Sequence, residues 1–275
     1  MNTTKNSTYT LTFGDVAENH YGMQKIGKIA SKGFTLTDLL HYRSKFIKEG
    51  LETELYDLGG LLNINQYKSI LAYVLVIRNA IKNADELWDE QTKLEKDTKA
   101  LMKGRVVNKK ARYNLCFGIE NQEPDYENGK GRIIALDEVY ETKVLMEYIK
   151  TFGNKTQDLV VEGNYYYDIN KCYIGYHGDT ERRKVIGVRL GATFPLHFQW
   201  YERSSEIGKR LQLDLNHGDM YIMSEKATGF DWHKKIIPTL RHAAGTYSLK
   251  LNDDVTYGEN LLIRSNKNGY VDVKF

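Results

Sequence analysis

The chain has 275 residues, of which 41% are apolar and 27% charged, enough to bury one large core and too apolar for a disordered or collagen-like polymer. Lys and Arg number 39 against 36 Asp and Glu, so the net charge of +3 excludes a uniformly basic nucleic-acid coat and leaves any basic site local. Two cysteines, Cys116 and Cys172, exclude a disulfide framework or a four-thiolate zinc site and suit a reducing compartment.

The first ten residues carry neither a basic segment nor an apolar one. The longest apolar run, Ile70 to Ile77, is too short to span a bilayer, so the expectation is an intracellular chain with no membrane partner. Tyr9 to Phe13 alternates as a strand does. Thr35 then offers a hydroxyl cap for a helix that Gly50 stops. Residues 65 to 102 read as helical throughout, with Ile70, Leu71, Val74, Ile77 and Ile81 toward a core and the charged stretch from Asp85 to Lys99 in solvent. Asp137 to Phe152 predicts a second amphipathic helix. From residue 159 onward, short apolar runs broken by Gly, Asn and Asp predict strands and tight turns. The expected class is therefore α+β, with residues 1–104 as a mainly helical extension packed on a β-rich domain over 105–275.

A strand sets residues i and i+2 on one face, so His177-Gly-Asp179 projects an imidazole and a carboxylate together. His217-Gly-Asp219 repeats the pattern. His233 supplies a third ligand for the first pair. Two imidazoles and a carboxylate on one side of a metal form the facial triad of non-haem Fe(II) oxygenases, which leaves positions for a 2-oxo acid and dioxygen. Arg241, eight positions on, is a guanidinium suited to the far carboxylate of 2-oxoglutarate.

The run from Tyr167 through Ile174-Gly175, His177-Gly-Asp179 and Glu181, followed by Gly218-Asp219-Met-Tyr-Ile-Met223, resembles the signature of AlkB-like Fe(II)/2-oxoglutarate dioxygenases. The resemblance covers roughly residues 105 to 250. It implies a double-stranded β-helix (jelly-roll) core over 159–250, Fe(II) on His177, Asp179 and His233, and O2 and 2-oxoglutarate as co-substrates. It also places Arg241, Tyr167 and Tyr165 at the 2-oxoglutarate site, and makes His217-Gly-Asp219 a turn entering a strand. Two positions depart from the family: Tyr247 stands where a second Arg is usual, and Tyr165 stands where an Asn is, with Asn164 next to it.

Residues 93 to 112 hold eight Lys or Arg against two acids, and aromatic residues follow. Such interleaving suits phosphates and unstacked bases, so 105–130 is read as a substrate lid with Lys109, Lys110, Arg112, Tyr113 and Phe117 as its contacts. Arg182, Arg183 and Lys184 are read as a charged surface loop, and His242 as a structural histidine. The expected activity is hydroxylation or oxidative demethylation of a modified base in DNA or RNA. The rivals are a hydroxylase of a protein side chain or metabolite and, from another class, a zinc hydrolase, which would give Arg241 no role.

Overall fold

Apolar runs that alternate with threonines and charges dominate the chain, and in the computed structural model they form strands rather than the expected helices. The structure describes residues 6–62, 65–245, 255–257, 261–265 and 271–273. The first strands are β1 (Thr8–Gly14), β2 (Val16–Glu18) and β3 (Lys25–Gly27), followed by helix α1 (Leu36–Lys48). Next come β4 (Thr53–Asp57), β5 (Tyr73–Ile77), α2 (Ala84–Lys93) and the hairpin of β6 (Lys99–Met102) and β7 (Arg105–Asn108). β8 (Tyr113–Gly118) and β9 (Ile133–Ala135) precede α3 (Tyr140–Lys150). The remainder is β: β10 (Val160–Tyr166), β11 (Ile174–His177), β12 (Val185–Gly191), β13 (Phe194–Glu202), β14 (Ser205–Leu215), β15 (Met220–Met223) and β16 (Thr239–Ala244). Three short strands follow, β17 (Val255–Tyr257), β18 (Leu261–Ser265) and β19 (Val271–Val273).

Two sheets organise these strands. The larger has ten, in the order β19-β18-β4-β5-β15-β12-β1-β10-β8-β9, and the smaller has five, β11-β16-β13-β14-β17. Strand parity sorts the side chains. Tyr9, Leu11 and Phe13 of β1, Leu75 and Ile77 of β5, and Ile186, Val188 and Leu190 of β12 pack under α1 and α3 through Leu39, Phe46, Leu145 and Ile149. The opposite parity, Val74, Val76, Val185, Tyr221 and Met223, meets Phe198, Trp200, Leu211 and Leu213 of the small sheet. The layers are helices, large sheet and small sheet.

α1 begins as expected. Thr35 accepts from the Asp38 amide at 3.3 Å while the Asp38 carboxylate accepts from the Thr35 amide at 2.7 Å, a capping box. Gly50, at φ +77°, ends the helix.

The reading of residues 1–104 as mainly helical is corrected. Only α1 and α2 are α-helices there among the described residues, and β1, β4 and β5 are integral to the large sheet. Residues 65–102 hold one ten-residue α-helix between two strands. The physical reason is local: Tyr73-Val-Leu-Val-Ile77 is buried on both faces, and a strand buried on both faces loses the alternation that would distinguish it from a buried helix. β1 pairs with β10 on one side and β12 on the other, so the start of the chain lies at the centre of the β-rich unit. Among the described residues, no helix is long and apolar enough to cross a membrane.

Candidate metal centre

β11 carries His177 at its end, and β16 pairs with it so that His242 lies directly across. Paired residues on adjacent strands share a face, with Cβ atoms about 5 Å apart. Asp179 follows β11 by two residues, and its amide donates to the Thr228 carbonyl at 2.9 Å. The Nε2 atoms of His177 and His242 lie 3.5 and 3.6 Å from Asp179 Oδ1, and the three ligand atoms fall within 4.8 Å of one another. This group can hold a metal ion.

The donor set is preorganised. His177 donates its Nδ1 proton to the Gly175 carbonyl at 2.8 Å, which leaves the Nε2 lone pair for a metal. Burial, reinforced by His177 and Arg182, holds His242 well below the usual imidazole range, so it is the neutral, ligating form. Burial pushes the Asp179 carboxyl up, against the pull of Arg182 and His177. Arg182 Nε stands 3.7 Å from Asp179 Oδ2, while its terminal nitrogen donates to Glu162 and Glu181 at 2.9 Å each. Burial opposes ionisation of Glu162, but Arg182 and the Glu18 amide outweigh it and keep that carboxyl below its ordinary range. The loop holding Arg182 is fastened from the far end of the chain, because the Asp15 carboxylate accepts from the amides of Arg183 and Lys184 at 2.9 and 2.8 Å. Gly178 is required by contact: a Cβ there would sit 2.2 Å from the Gly229 carbonyl.

The triad opens on a cavity of about 630 Å³ between the two sheets. Its floor is the polar parity of β1, β10 and β12, namely Thr10, Thr12, Glu162, Asn164 and Arg189. Arg189 is 1% exposed, donates to Thr10 Oγ1 at 2.5 Å and keeps its Nε without a partner; among the described residues no carboxylate pairs with it. Burial lowers its pKa from the usual guanidinium value. Tyr166 and Tyr221 flank it along the cavity wall, and Gly187 makes room for Tyr221, whose ring would lie 2.0 Å from a Cβ on that glycine.

Several expected roles are displaced by one residue. His233 is not in the ligand group: it is exposed, on the loop before β16, with its ring 4.2 Å from that of Trp232. His242, expected to be structural, takes that place. Arg241, its neighbour on β16, therefore points through the other face of the small sheet, where its guanidinium lies 4.0 Å over Tyr201. On β10, Tyr165 stacks on Tyr9 at 4.4 Å in the helix-side core, whereas Asn164 and Tyr166 face the cavity. Tyr167 lies outside the cavity, stacked on Tyr113 at 4.8 Å, with its hydroxyl donating to the Lys110 carbonyl. Tyr247 lies outside the described residues.

The expected lid contacts are also redistributed. Phe117 is a core residue with no exposure. Lys109 donates to Asn19 and Asn114 at 2.8 and 3.0 Å, and burial pushes its ammonium down to about 7. Arg112 alone of that set reaches the cavity, held by Asn164 at 2.8 Å, and Lys110 is exposed. Arg182 is buried rather than on a surface loop, because three carboxylates surround it. Cys172 is buried, as expected of a small apolar side chain, and His217-Gly-Asp219 is a turn leading into β15, where Asp219 accepts from Arg78 and the Asn79 amide. Arg189 was missed by the sequence reading, although Val-Arg-Leu within a strand-like run places one charge between residues of opposite parity.

No protein-family model matches the chain. It is 51% identical over 245 residues to the "Uncharacterized protein R156" of Acanthamoeba polyphaga mimivirus, an alignment that covers 86% of this chain and 95% of that protein. At that identity and coverage, the chain belongs to the same family as the mimivirus protein.

Proposed function

We propose that the protein is an Fe(II)- and 2-oxoglutarate-dependent oxygenase, as the AlkB-like resemblance implies, with His177, Asp179 and His242 as the iron ligands. One observation carries this reading: two imidazoles and a carboxylate share a cavity with Arg189, a buried cation that lacks a carboxylate partner among the described residues. A buried unpaired guanidinium is costly, and an incoming carboxylate offsets that cost. A dicarboxylate such as 2-oxoglutarate has one end for the metal and one for Arg189. In this reading Arg189 has the role expected of Arg241.

The strand path supports a jelly roll. Strands β10 to β16 run large, small, large, small, small, large, small between the sheets, and β1 fills the eighth place between β10 and β12. Two four-stranded layers with that path are what a double-stranded β-helix requires. Thr10 of β1 thereby pairs with Arg189 of β12 in the floor of the cavity.

The residues divide the work. His177 is held in one tautomer by Gly175, Asp179 is aimed by Arg182 and the Thr228 carbonyl, and Arg189 with Thr10 orients the co-substrate. The sheets exclude water from the floor. Bound iron supplies the oxidising chemistry, in which O2 and 2-oxoglutarate become CO2 and succinate while one oxygen atom enters a substrate C–H bond. An N-methyl product would release formaldehyde, and a carbon-centred one would persist with a gain of one oxygen.

The test is succinate formation from 2-oxoglutarate by protein reconstituted with ferrous iron under air. Turnover that needs iron and disappears in His242→Ala is expected. Iron-loaded protein that forms no succinate, together with zinc-dependent hydrolysis of ester or amide probes, would replace this reading with the hydrolase.

A further inference from the structure

Outside the metal cavity, a second pocket of about 220 Å³ opens on the other side of Trp232 and His233, which line both. Its other walls are Arg203, Lys234, Lys235 and Arg241, with Ser204 and Thr239, and no carboxylate lines it. Of the acids next to it in sequence, Asp231 accepts from Lys226 at 2.7 Å through Oδ2 while its Oδ1 is buried without a partner, and Glu202 accepts from Tyr67 at 2.7 Å. Arg241 is clamped between Tyr201 and Trp232, and its Nε is buried without a partner. Four cationic residues thus line one small concavity, and among the described residues no carboxylate lines it or forms an ion pair with them. Mutual repulsion disfavours that arrangement unless an anion joins it.

The backbone adds an independent sign. Arg203 and Ser204 form the two-residue turn between β13 and β14 with φ of +49° and +72°, a conformation that favours Asn-Gly. Arg and Ser hold that turn at the edge of the pocket, which both residues line, at the expense of backbone comfort, a pattern that collects at binding sites. The face of Trp232 is covered by His233 and Arg241, so the pocket offers charge and N–H donors rather than a free stacking surface.

We infer that this pocket seats a phosphoryl group of the substrate, the remainder of which passes the Trp232–His233 wall into the metal cavity. The inference rests on the oxygenase reading for what happens in the cavity, but the phosphoryl site itself does not require metal. The ligand is a phosphate monoester or diester on a molecule small enough, or unpaired enough, to extend one substituent inward.

The experiment titrates metal-free protein with inorganic phosphate, adenosine 5′-monophosphate and a twelve-nucleotide single-stranded DNA, at low and rising salt. All three probes are expected to bind, with affinity falling as salt rises. Arg203→Gln/Lys235→Gln should weaken each by tenfold or more, while Lys143→Gln, an exposed cation on α3 in the helix layer, binds as the parent does. Oligonucleotide binding tenfold tighter than the mononucleotide assigns a nucleic-acid backbone; equal affinities assign a phosphorylated small molecule. Absence of binding, or equal binding by the double variant, overturns the inference. Succinate formation without phosphate binding removes only the phosphoryl site. Phosphate binding without succinate formation retains the site and removes the oxygenase.

Discussion

The space between the two sheets has two ends built to opposite rules. At one end Val74, Val76, Phe198, Trp200, Leu211 and Leu213 close on one another as an apolar cluster, in which the Trp200 indole N–H donates to the Leu58 carbonyl at 2.7 Å. At the other, β1, β10 and β12 turn Thr10, Glu162, Asn164 and Arg189 into a comparably buried setting. The apolar end gains stability from burial, at about 25 cal/mol per Å². The polar end gives stability up, since each buried charge must be held by partners or left waiting for one. Sheets with a uniform demand for stability would be apolar throughout, so the second end is the part of the space that the proposed binding role accounts for.

The sharpest way to break this comparison is to remove a ligand from the polar end. His242→Ala or Asp179→Ala is expected to abolish tight Fe(II) or Co(II) binding, a loss of a hundredfold or more, while His233→Ala changes it less than threefold; spectroscopic titration with Co(II) separates them. A His233→Ala loss equal to that of His242→Ala would return the metal to the arrangement expected from sequence. At the apolar end Trp200→Ala should cost about 4 kcal/mol of stability, read from urea denaturation, and leave the metal affinity of the folded protein intact.

The parity of strands explains what was legible beforehand. His177 and Asp179 are two residues apart, so their common face follows from sequence alone, and the structure keeps them together. The third member of the group comes from another strand, and nothing local says whether Arg241 or His242 faces inward; a choice of one reverses the other. Tyr165 and Tyr167 against Asn164 and Tyr166 repeat the same ambiguity on β10. The helix at Thr35 was readable because a cap is a local signal, whereas β5 was not, because Tyr73 to Ile77 is buried on both faces. The position of β1 beside β12 is a contact across about 180 residues, and no periodicity within either strand records it.

The outer face of β13 gives a smaller test that depends on pH. His197 is buried, with Nε2 3.2 Å from the Gly245 carbonyl, and burial pushes its pKa from 6.5 down to about 4. Between those values the unfolded chain takes up a proton that the folded chain refuses. Stability is therefore expected to fall by about 3 kcal/mol as pH drops from 6.5 to 4, with no further loss from this group below that. His197→Gln should flatten this part of the profile in urea midpoints measured across the range. An unchanged slope would place the acid sensitivity in other groups.

The smallest expected effect on stability bears most directly on why the two ends differ. Arg189→Met replaces a buried, unpaired cation by an apolar side chain of similar length, which converts the floor of the cavity toward the composition of the Trp200 end. Removing the desolvation cost should raise stability by about 1 kcal/mol, since buried charges replaced by apolar groups are commonly neutral or stabilising. The same change should raise the KM for 2-oxoglutarate at least a hundredfold and leave Co(II) affinity unchanged, because Arg189 is not a ligand. A gain in stability with loss of co-substrate binding means that the guanidinium is kept for an anion at the expense of the fold. A clear loss of stability would instead make Arg189 a structural member of the sheet, through Thr10 and the stacking of its guanidinium 5.2 Å from Phe194.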